Sequence, residues 1–261
     1  MRSRISLIGV VQIYGSISVQ GEVAVFTFSG SGHNTFATWK MNEIAETLEN
    51  LDTSSIRAVI ITAGEGRSFG VGGDFHEVNT FKGSDEVDKW IAACVRMYTS
   101  VLALSVPVIA ALDGYSIGIG LQLALCADYR VASHIADLRM PELKLGIACV
   151  LGSCLLNERV APHVVNRMIM TCEPWLAPKA FEDGLVDVVA SENESVLEKA
   201  KTIAQQFSKY QPVPFKTTKR YANAGIIERL EHARIEATRA HRAGFAASQS
   251  AQERMREVIS S

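Results

Sequence analysis

The sequence predicts an α/β protein with a layered core of strands and helices and a helical C-terminal third. Two short apolar segments, 58–62 and 106–112, have the continuous hydrophobicity typical of strands that are buried on both faces. A glycine-rich stretch follows each of them, and a segment with helical spacing comes next. We therefore expect a core over residues 1–190 and a C-terminal helical region over residues 191–261, with the polar segment 190–195 as the candidate hinge.

The N-terminal part of the chain predicts a pair of antiparallel strands. Segments 5–14 and 23–28 are rich in β-forming residues, and Gly15 and Gly21 lie between them. The basic start of the chain and the apolar residues after it also resemble a signal peptide. Because that apolar run is short and is interrupted by Gln12, we interpret it as a strand.

The elements that follow alternate between helices and strands. Segment 29–34 indicates a loop, and Thr38 is the predicted cap of a helix whose apolar residues recur at helical spacing. Further helices are predicted over 85–103, 156–172, 178–184, 194–209 and 216–242, and short strands over 129–132 and 137–140. This order favours a core in which helices connect successive strands.

Two glycine-rich turns are the first candidates for a functional site. Gly72-Gly73 lies after the first buried strand, and Gly118-Ile119-Gly120 lies after the second. Unpaired backbone N–H groups at such turns attract negative charge. Two that converge form an oxyanion hole, which stabilises a carbonyl oxygen as it becomes negatively charged. The alternative is that these glycines serve only tight turns and close packing.

A carboxylate is the third candidate. Glu142 follows Pro141 at the end of a predicted strand and has apolar neighbours in the sequence. An apolar setting would raise its pKa and suit it to act as a general base, whereas the alternative is an exposed loop glutamate. Three aspartates at the ends of elements are predicted to be structural, the first of them as a helix N-cap: Asp74, Asp113 and Asp128.

Composition argues against several classes of function. The chain of 261 residues has a net charge of −2 and a pI near 6.3, so it lacks the basic surface expected of a nucleic-acid-binding protein. Its five cysteines include no CxxC pair, which favours reduced core thiols over metal ligands. No stretch of the sequence is apolar enough for a membrane span. We expect a cytoplasmic protein that binds no metal, nucleic acid or membrane.

The three motifs together resemble the crotonase superfamily, the enoyl-CoA hydratase/isomerase family. The resemblance rests on Arg67-Ser68-Phe69-x-x-Gly72-Gly73-Asp74-Phe75, on segment 107–128, and on Met140-Pro141-Glu142-Leu143. It implies a crotonase-like spiral of repeated ββα units, with a C-terminal helical region that builds homotrimers, often paired into hexamers. It also implies an acyl-CoA substrate, with no cofactor beyond the coenzyme A of the thioester.

The resemblance assigns the oxyanion hole to two backbone positions. The N–H groups of Gly73 and Ile119 would hold the thioester oxygen as an enolate-like anion, next to Gly72 and Gly118. In the early loop, His33, Asn34 and Phe36 match positions near the bound coenzyme A.

One position departs from the hydratases of the family. They carry a glutamate where this chain has Gln122, and a second glutamate where it has Glu142. Glutamine is neither an acid nor a base near neutral pH, so water addition by two carboxylates is not expected. One glutamate suits chemistry with a single proton relay, as in the isomerases of the family.

In the combination of Gln122 with the single glutamate Glu142, the chain resembles the carboxymethylproline synthases, a group within the family. These enzymes decarboxylate malonyl-CoA, and the resulting enolate attacks the cyclic imine pyrroline-5-carboxylate. Trp90 and His241 match their pocket tryptophan and late histidine. The alternative for Trp90 is core packing, and for His241 it is a surface position or a place near the coenzyme A phosphates.

Three hypotheses follow from the motifs. The first is an acyl-CoA enolate enzyme that decarboxylates malonyl-CoA and forms a C–C bond. The second is an enoyl-CoA isomerase or hydratase that uses Glu142 alone. The third belongs to another class, a non-catalytic binding protein with this fold, against which the intact donor turns argue.

Overall fold

The computed structural model describes residues 14–28, 30 and 33–247. Its larger sheet has six strands in the spatial order β1-β2-β3-β5-β7-β10, and only β1 runs antiparallel to its neighbour. These strands are β1 (Gly15–Gln20), β2 (Val23–Phe28), β3 (Ala58–Thr62), β5 (Val108–Leu112), β7 (Tyr129–Ala132) and β10 (Val188–Val189). A smaller sheet has the order β4-β6-β8-β9, with β4 (Gly70–Val71), β6 (Tyr115–Ile117), β8 (Asp137–Arg139) and β9 (Trp175–Leu176).

Successive strands alternate between the two sheets. From β3 to β8, each strand of the larger sheet is followed by a strand of the smaller sheet. One or two helices separate each such pair of strands from the next pair. The helices are α1 (Thr38–Glu49), α2 (Phe75–Val78), α3 (Ser84–Ala103), α4 (Ile119–Leu125), α5 (Val150–Asn157), α6 (Pro162–Thr171), α7 (Ala177–Glu182), α8 (Val196–Phe207) and α9 (Pro212–Ala247). This repeat is the ββα spiral that the resemblance implies.

Around β3 and β5 both faces of the larger sheet are covered, which explains the continuous apolar runs of these two strands. One face packs with helices α1 and α3 in the main core. The other face carries a second cluster in which Ile60 and Ile109 pack with Ala200 of α8. A strand between two apolar layers has no polar side, so the alternation typical of half-exposed strands is absent from its sequence.

The first strand of the described chain differs from the prediction. β1 begins at Gly15 and pairs with β2 through a turn at Gly21, whose φ of +62° suits glycine. Segment 23–28 therefore has an antiparallel partner, as predicted, but the partner is 15–20 and not 5–14. Residues 5–13 of the predicted strand lie outside the described residues. Thr38 is the first helical residue of α1 rather than its cap, and its backbone N–H is held by the Glu77 carboxylate at 2.7 Å.

Proline divides the helix predicted over 156–172. Helix α5 ends at Asn157 and α6 begins at Pro162, because the proline ring disfavours helical backbone at the preceding residue and suits the first turn of a helix. The three aspartates are structural, as predicted. Asp74 caps α2, Asp113 accepts from Gly66 N–H at 2.7 Å, and Asp128 accepts from Val108 N–H at 2.8 Å.

The last helix brings distant residues back to the core. Helix α9 packs against α3 and α5, and its buried Lys219 donates to Asp128 at 2.6 Å and to the Val106 carbonyl at 3.1 Å. No helix in the described part of the chain is both long and apolar enough to cross a membrane.

Candidate active site

Three adjacent parallel strands of the smaller sheet bring the three motifs together. In the register of this sheet, Val71 of β4 pairs with Ile117 of β6, and Ile117 pairs with Arg139 of β8 on its other side. The residues that follow these three strand ends therefore emerge at the same edge of the sheet. They are Gly72-Gly73, Gly118-Ile119 and, after a short turn, Glu142. We call Gly72-Gly73 and Gly118-Ile119 the donor turns.

The donor turns require glycine. Gly72 and Gly118 have φ values of +85° and +54°, a region that L-residues with a side chain rarely adopt. A Cβ atom at Gly118 would also lie 3.3 Å from Glu142 Oε1 and 3.7 Å from Gly72 Cα. The turns and the carboxylate are thus in close contact, and any side chain at Gly118 would occupy the space between them.

Backbone hydrogen bonds orient one N–H group of each donor turn outward. The Gly72 carbonyl accepts from Phe36 N–H at 3.0 Å, and the Gly118 carbonyl accepts from Gln122 N–H at 2.9 Å. In a trans peptide the following N–H points away from the carbonyl, so Gly73 N–H and Ile119 N–H point away from these partners. Within the described residues neither group has an acceptor. This arrangement fits an oxyanion hole.

A cavity of about 310 Å³ opens in front of the donor turns. Most of its wall is apolar, which favours an acyl chain over a charged ligand body. The residues with functional groups that line it include Gly73, Ile119, Gln122, Glu142, Trp90 and His241.

Glu142 is the cavity's buried carboxylate. It is 8% exposed, and burial raises its pKa above the ordinary value of a glutamate. Oε1 accepts from Gln122 Nε2 at 2.9 Å, whereas Oε2 has no partner among the described residues. One oxygen is thus held by the protein, and the other is buried at the cavity wall without a protein partner among the described residues.

Trp90 and His241 meet at the cavity wall, although they lie far apart in the sequence. Their rings are 5.9 Å apart, and the buried Trp90 Nε1 has no acceptor among the described residues. His241 Nδ1 lies 2.7 Å from the Ala237 carbonyl, which can only accept, so this nitrogen carries the proton. Burial lowers the pKa of His241, so the ring is neutral near pH 7 and Nε2 is an acceptor.

The early-loop residues lie outside the cavity lining. Asn34 and Phe36 are enclosed, with exposures of 1% and 0%, so their side chains are not available to coenzyme A in this conformation. Asn34 instead donates to the Ser68 carbonyl at 2.8 Å, and the backbone of Phe36 holds the first donor turn. His33 is exposed and contacts Ser68 Oγ at 2.9 Å. A contact between His33 and coenzyme A stays a prediction.

Three residues of this region were not predicted from the sequence. Tyr98 donates to Gln122 Oε1 at 2.8 Å from behind the cavity wall. Cys149 and Arg139 line the cavity, the thiol at the start of α5 and the guanidinium on β8. Tyr98 lies eight residues after Trp90, on the same face of α3, which is the signal that could have revealed it. Among the described residues, no group of three or more potential metal ligands occurs.

Comparison with known proteins identifies the family. The model of the enoyl-CoA hydratase/isomerase family matches residues 18–258. The chain therefore belongs to this family, the crotonase superfamily, whose members act on coenzyme A thioesters. It is an acyl-CoA enzyme with the crotonase fold.

Two relatives in this family carry names that state different activities. Carboxymethylproline synthase of Pectobacterium carotovorum subsp. carotovorum is 35% identical over 228 residues, which cover 87% of this chain and 91% of that protein. A probable enoyl-CoA hydratase of Bacillus subtilis (strain 168) is 31% identical over 198 residues, which cover 76% of this chain and 77% of that protein.

Solved structures support the fold. ThnE from S. clavuligerus superposes with a TM-score of 0.77 at 37% identity, covering 87% of this chain and 100% of that one. An enoyl-CoA hydratase/isomerase from Mycobacterium paratuberculosis has a TM-score of 0.83 at 21% identity, covering 94% and 98% of the two chains. At that identity the second likeness concerns the fold alone.

Proposed function

We propose that the protein decarboxylates malonyl-CoA and uses the resulting enolate to form a C–C bond. The observation that carries this proposal is the pair formed by Gln122 and Glu142. Where a two-carboxylate hydratase needs a second glutamate, this cavity holds an amide that donates to Glu142 at 2.9 Å. The similarity to carboxymethylproline synthase supports the same reaction.

The donor turns fit the charge that this reaction creates. Loss of CO₂ breaks the C–C bond to the carboxylate and leaves the electron pair on the thioester enolate. Gly73 N–H and Ile119 N–H, free of protein acceptors among the described residues, would hold the enolate oxygen more strongly than the neutral carbonyl. The mostly apolar wall excludes water, which strengthens these hydrogen bonds and protects the enolate from protonation.

The remaining polar groups suit a second substrate that is an imine. The enolate carbon attacks the imine carbon, the C=N electron pair moves to the nitrogen, and a proton from solvent neutralises it. The product at this point is still a thioester, and water hydrolyses it to the free acid with release of coenzyme A. Glu142 Oε2, Trp90 Nε1 and His241 Nε2 are the partners the cavity offers to such a molecule. The resemblance to the carboxymethylproline synthases makes pyrroline-5-carboxylate the first candidate.

Mass spectrometry of the reaction products tests the proposal. We expect purified protein to convert malonyl-CoA with loss of CO₂. When pyrroline-5-carboxylate is added, we expect a carboxymethylproline product, either as its coenzyme A thioester or, after hydrolysis, as the free acid beside released coenzyme A. Crotonyl-CoA is the control substrate and should stay almost unchanged. Malonyl-CoA left intact beside hydrated or isomerised enoyl-CoA would reject the proposal in favour of the second candidate.

The second candidate is an enoyl-CoA isomerase, and the unpartnered Glu142 Oε2 favours it. A single carboxylate beside an oxyanion hole is sufficient to move a proton between two carbons of a bound thioester. The variant Gln122→Glu separates the candidates further, because it restores a second carboxylate. It should gain hydration of crotonyl-CoA and lose C–C bond formation.

A further inference from the structure

A chain of hydrogen bonds supports Glu142 from behind the cavity wall. The Tyr98 hydroxyl donates to Gln122 Oε1 at 2.8 Å, and Gln122 Nε2 donates to Glu142 Oε1 at 2.9 Å. Tyr98 is fully buried on α3 and does not itself line the cavity. Any influence it has on a substrate therefore passes through Gln122 and Glu142.

Tyr98 and Glu142 contact the two ends of the Gln122 amide. An ionised carboxylate only accepts hydrogen bonds, so it needs the NH₂ group of the amide. The amide oxygen then faces Tyr98, whose hydroxyl is neutral because burial raises its pKa well above the ordinary value. The hydroxyl proton satisfies this oxygen, which would otherwise be buried without a donor.

We propose that Tyr98 is a positioning residue for the reaction. Its hydroxyl holds the Gln122 amide so that the NH₂ group donates to Glu142 Oε1, and Glu142 Oε2 is left for the substrate. Donation to the amide oxygen also polarises the amide, so that its N–H becomes a stronger donor to the carboxylate. Nothing in the sequence resemblance assigns Tyr98 a role.

Close packing supports this arrangement. A Cβ atom at Gly152 would lie 3.2 Å from Gln122 Nε2 and 2.6 Å from Cys149 Sγ, so α5 packs directly against the amide and the thiol at this glycine. Three further titratable groups line the cavity together with Glu142: Cys149 at the start of α5, Arg139 on β8 and His241 on α9. Of these, the Cys149 thiol lowers the pKa of the carboxyl by hydrogen bonding.

Infrared difference spectroscopy tests the inference without any substrate. The protonated carboxyl band that disappears in Glu142→Gln is assigned to Glu142 and followed as the pH is varied. The midpoint is the pH at which half of this band is lost. We expect Tyr98→Phe to raise the midpoint by about half a pH unit, because the hydrogen bond that Gln122 donates to the carboxylate becomes weaker. Tyr129→Phe is the matched control, since Tyr129 packs against Phe207 away from the cavity, and it should leave the midpoint unchanged.

A second measurement does not depend on the stability of Tyr98→Phe. Uniform incorporation of 3-fluorotyrosine makes every tyrosine hydroxyl a stronger donor with little change in size. The Glu142 midpoint should then move downward. A midpoint that moves in neither experiment would show that Tyr98 only fills space.

The kinetic part of the test rests on the proposed function, whereas the spectroscopic part does not. With malonyl-CoA, Tyr98→Phe should lower kcat about tenfold and change KM less than about twofold, because Tyr98 is outside the cavity. If the wild-type protein is inactive towards malonyl-CoA but Tyr98→Phe shifts the Glu142 band, the proposed function is refuted and the role of Tyr98 stands. Unchanged kcat in an active, folded variant would overturn that role.

Discussion

At the scale of single residues, burial and hydrogen bonding oppose each other at Glu142. Burial raises its pKa, whereas three nearby hydrogen-bond donors, its own backbone N–H, the Cys149 thiol and the Gln122 amide, lower it, with burial the larger effect. The carboxyl therefore stays protonated to a higher pH than an exposed glutamate does. The ionised form accepts the amide hydrogen at Oε1 and leaves Oε2 purely an acceptor, whereas the protonated form carries an O–H donor.

A pH profile of kcat/KM follows from this balance. Activity should fall as the pH is lowered through the raised pKa, with the acid limb above the ordinary glutamate value of about 4.3. Glu142→Gln should lose about 10²-fold or more of the activity and remove this limb. Steady-state kinetics across the pH range measure both effects, and an acid limb below the ordinary value would contradict the assignment.

At the scale of elements, helix α4 meets strand β4 of the smaller sheet through two glycines. Gly120 of α4 lies against Gly70 of β4, and a Cβ atom at Gly120 would be 2.3 Å from the Gly70 carbonyl oxygen. This contact is between backbones, so no side chain can move aside to relieve it. The close approach places the start of α4, and with it Ile119 N–H, next to the first donor turn.

Substitution of this glycine should be costly. We expect Gly120→Ala to lower the free energy of unfolding by about 3 kcal/mol or more, because α4 must move away from β4. Gly244→Ala is the matched control, since Gly244 is an exposed helical position in α9 with open space around it. It should raise the free energy of unfolding by up to about 1 kcal/mol. Urea unfolding measures both, and equal stability of Gly120→Ala and wild type would refute the packing argument.

At the scale of the whole molecule, α9 connects the C-terminal third to the core and to the cavity. Lys219 donates to the Val106 carbonyl and to Asp128, which lie just before strands β5 and β7. His241 lines the cavity about six helical turns further along α9. Helix α8 meanwhile covers one face of the larger sheet. A division at residue 190 stays a prediction, as do the homotrimer or hexamer and the cytoplasmic location.

The buried link at Lys219 predicts a stability difference between two lysines of one helix. Lys219→Met should lower the free energy of unfolding by about 2 kcal/mol or more, because Asp128 and the Val106 carbonyl each lose a donor. Lys216→Met, at an exposed position one turn earlier, should change it by less than about 0.5 kcal/mol. Thermal unfolding of the two variants provides the comparison, and equal melting temperatures would contradict it.

The sequence by itself determined the α/β class, the buried strands and the three motifs of the candidate site. These depend on local properties: hydrophobic runs of strand length, glycines at turns, and a carboxylate after a proline. Parallel pairing of β4, β6 and β8 then brings Gly73, Ile119 and Glu142 to one edge.

Only the tertiary structure decided which groups surround those three residues. It enclosed Asn34 and Phe36, brought His241 to Trp90, and placed Tyr98 behind Gln122. These contacts join segments that are far apart in the chain, and their distances depend on how the helices pack. A local pattern contains no information about such packing, because the partner of a buried polar atom is set by the fold as a whole.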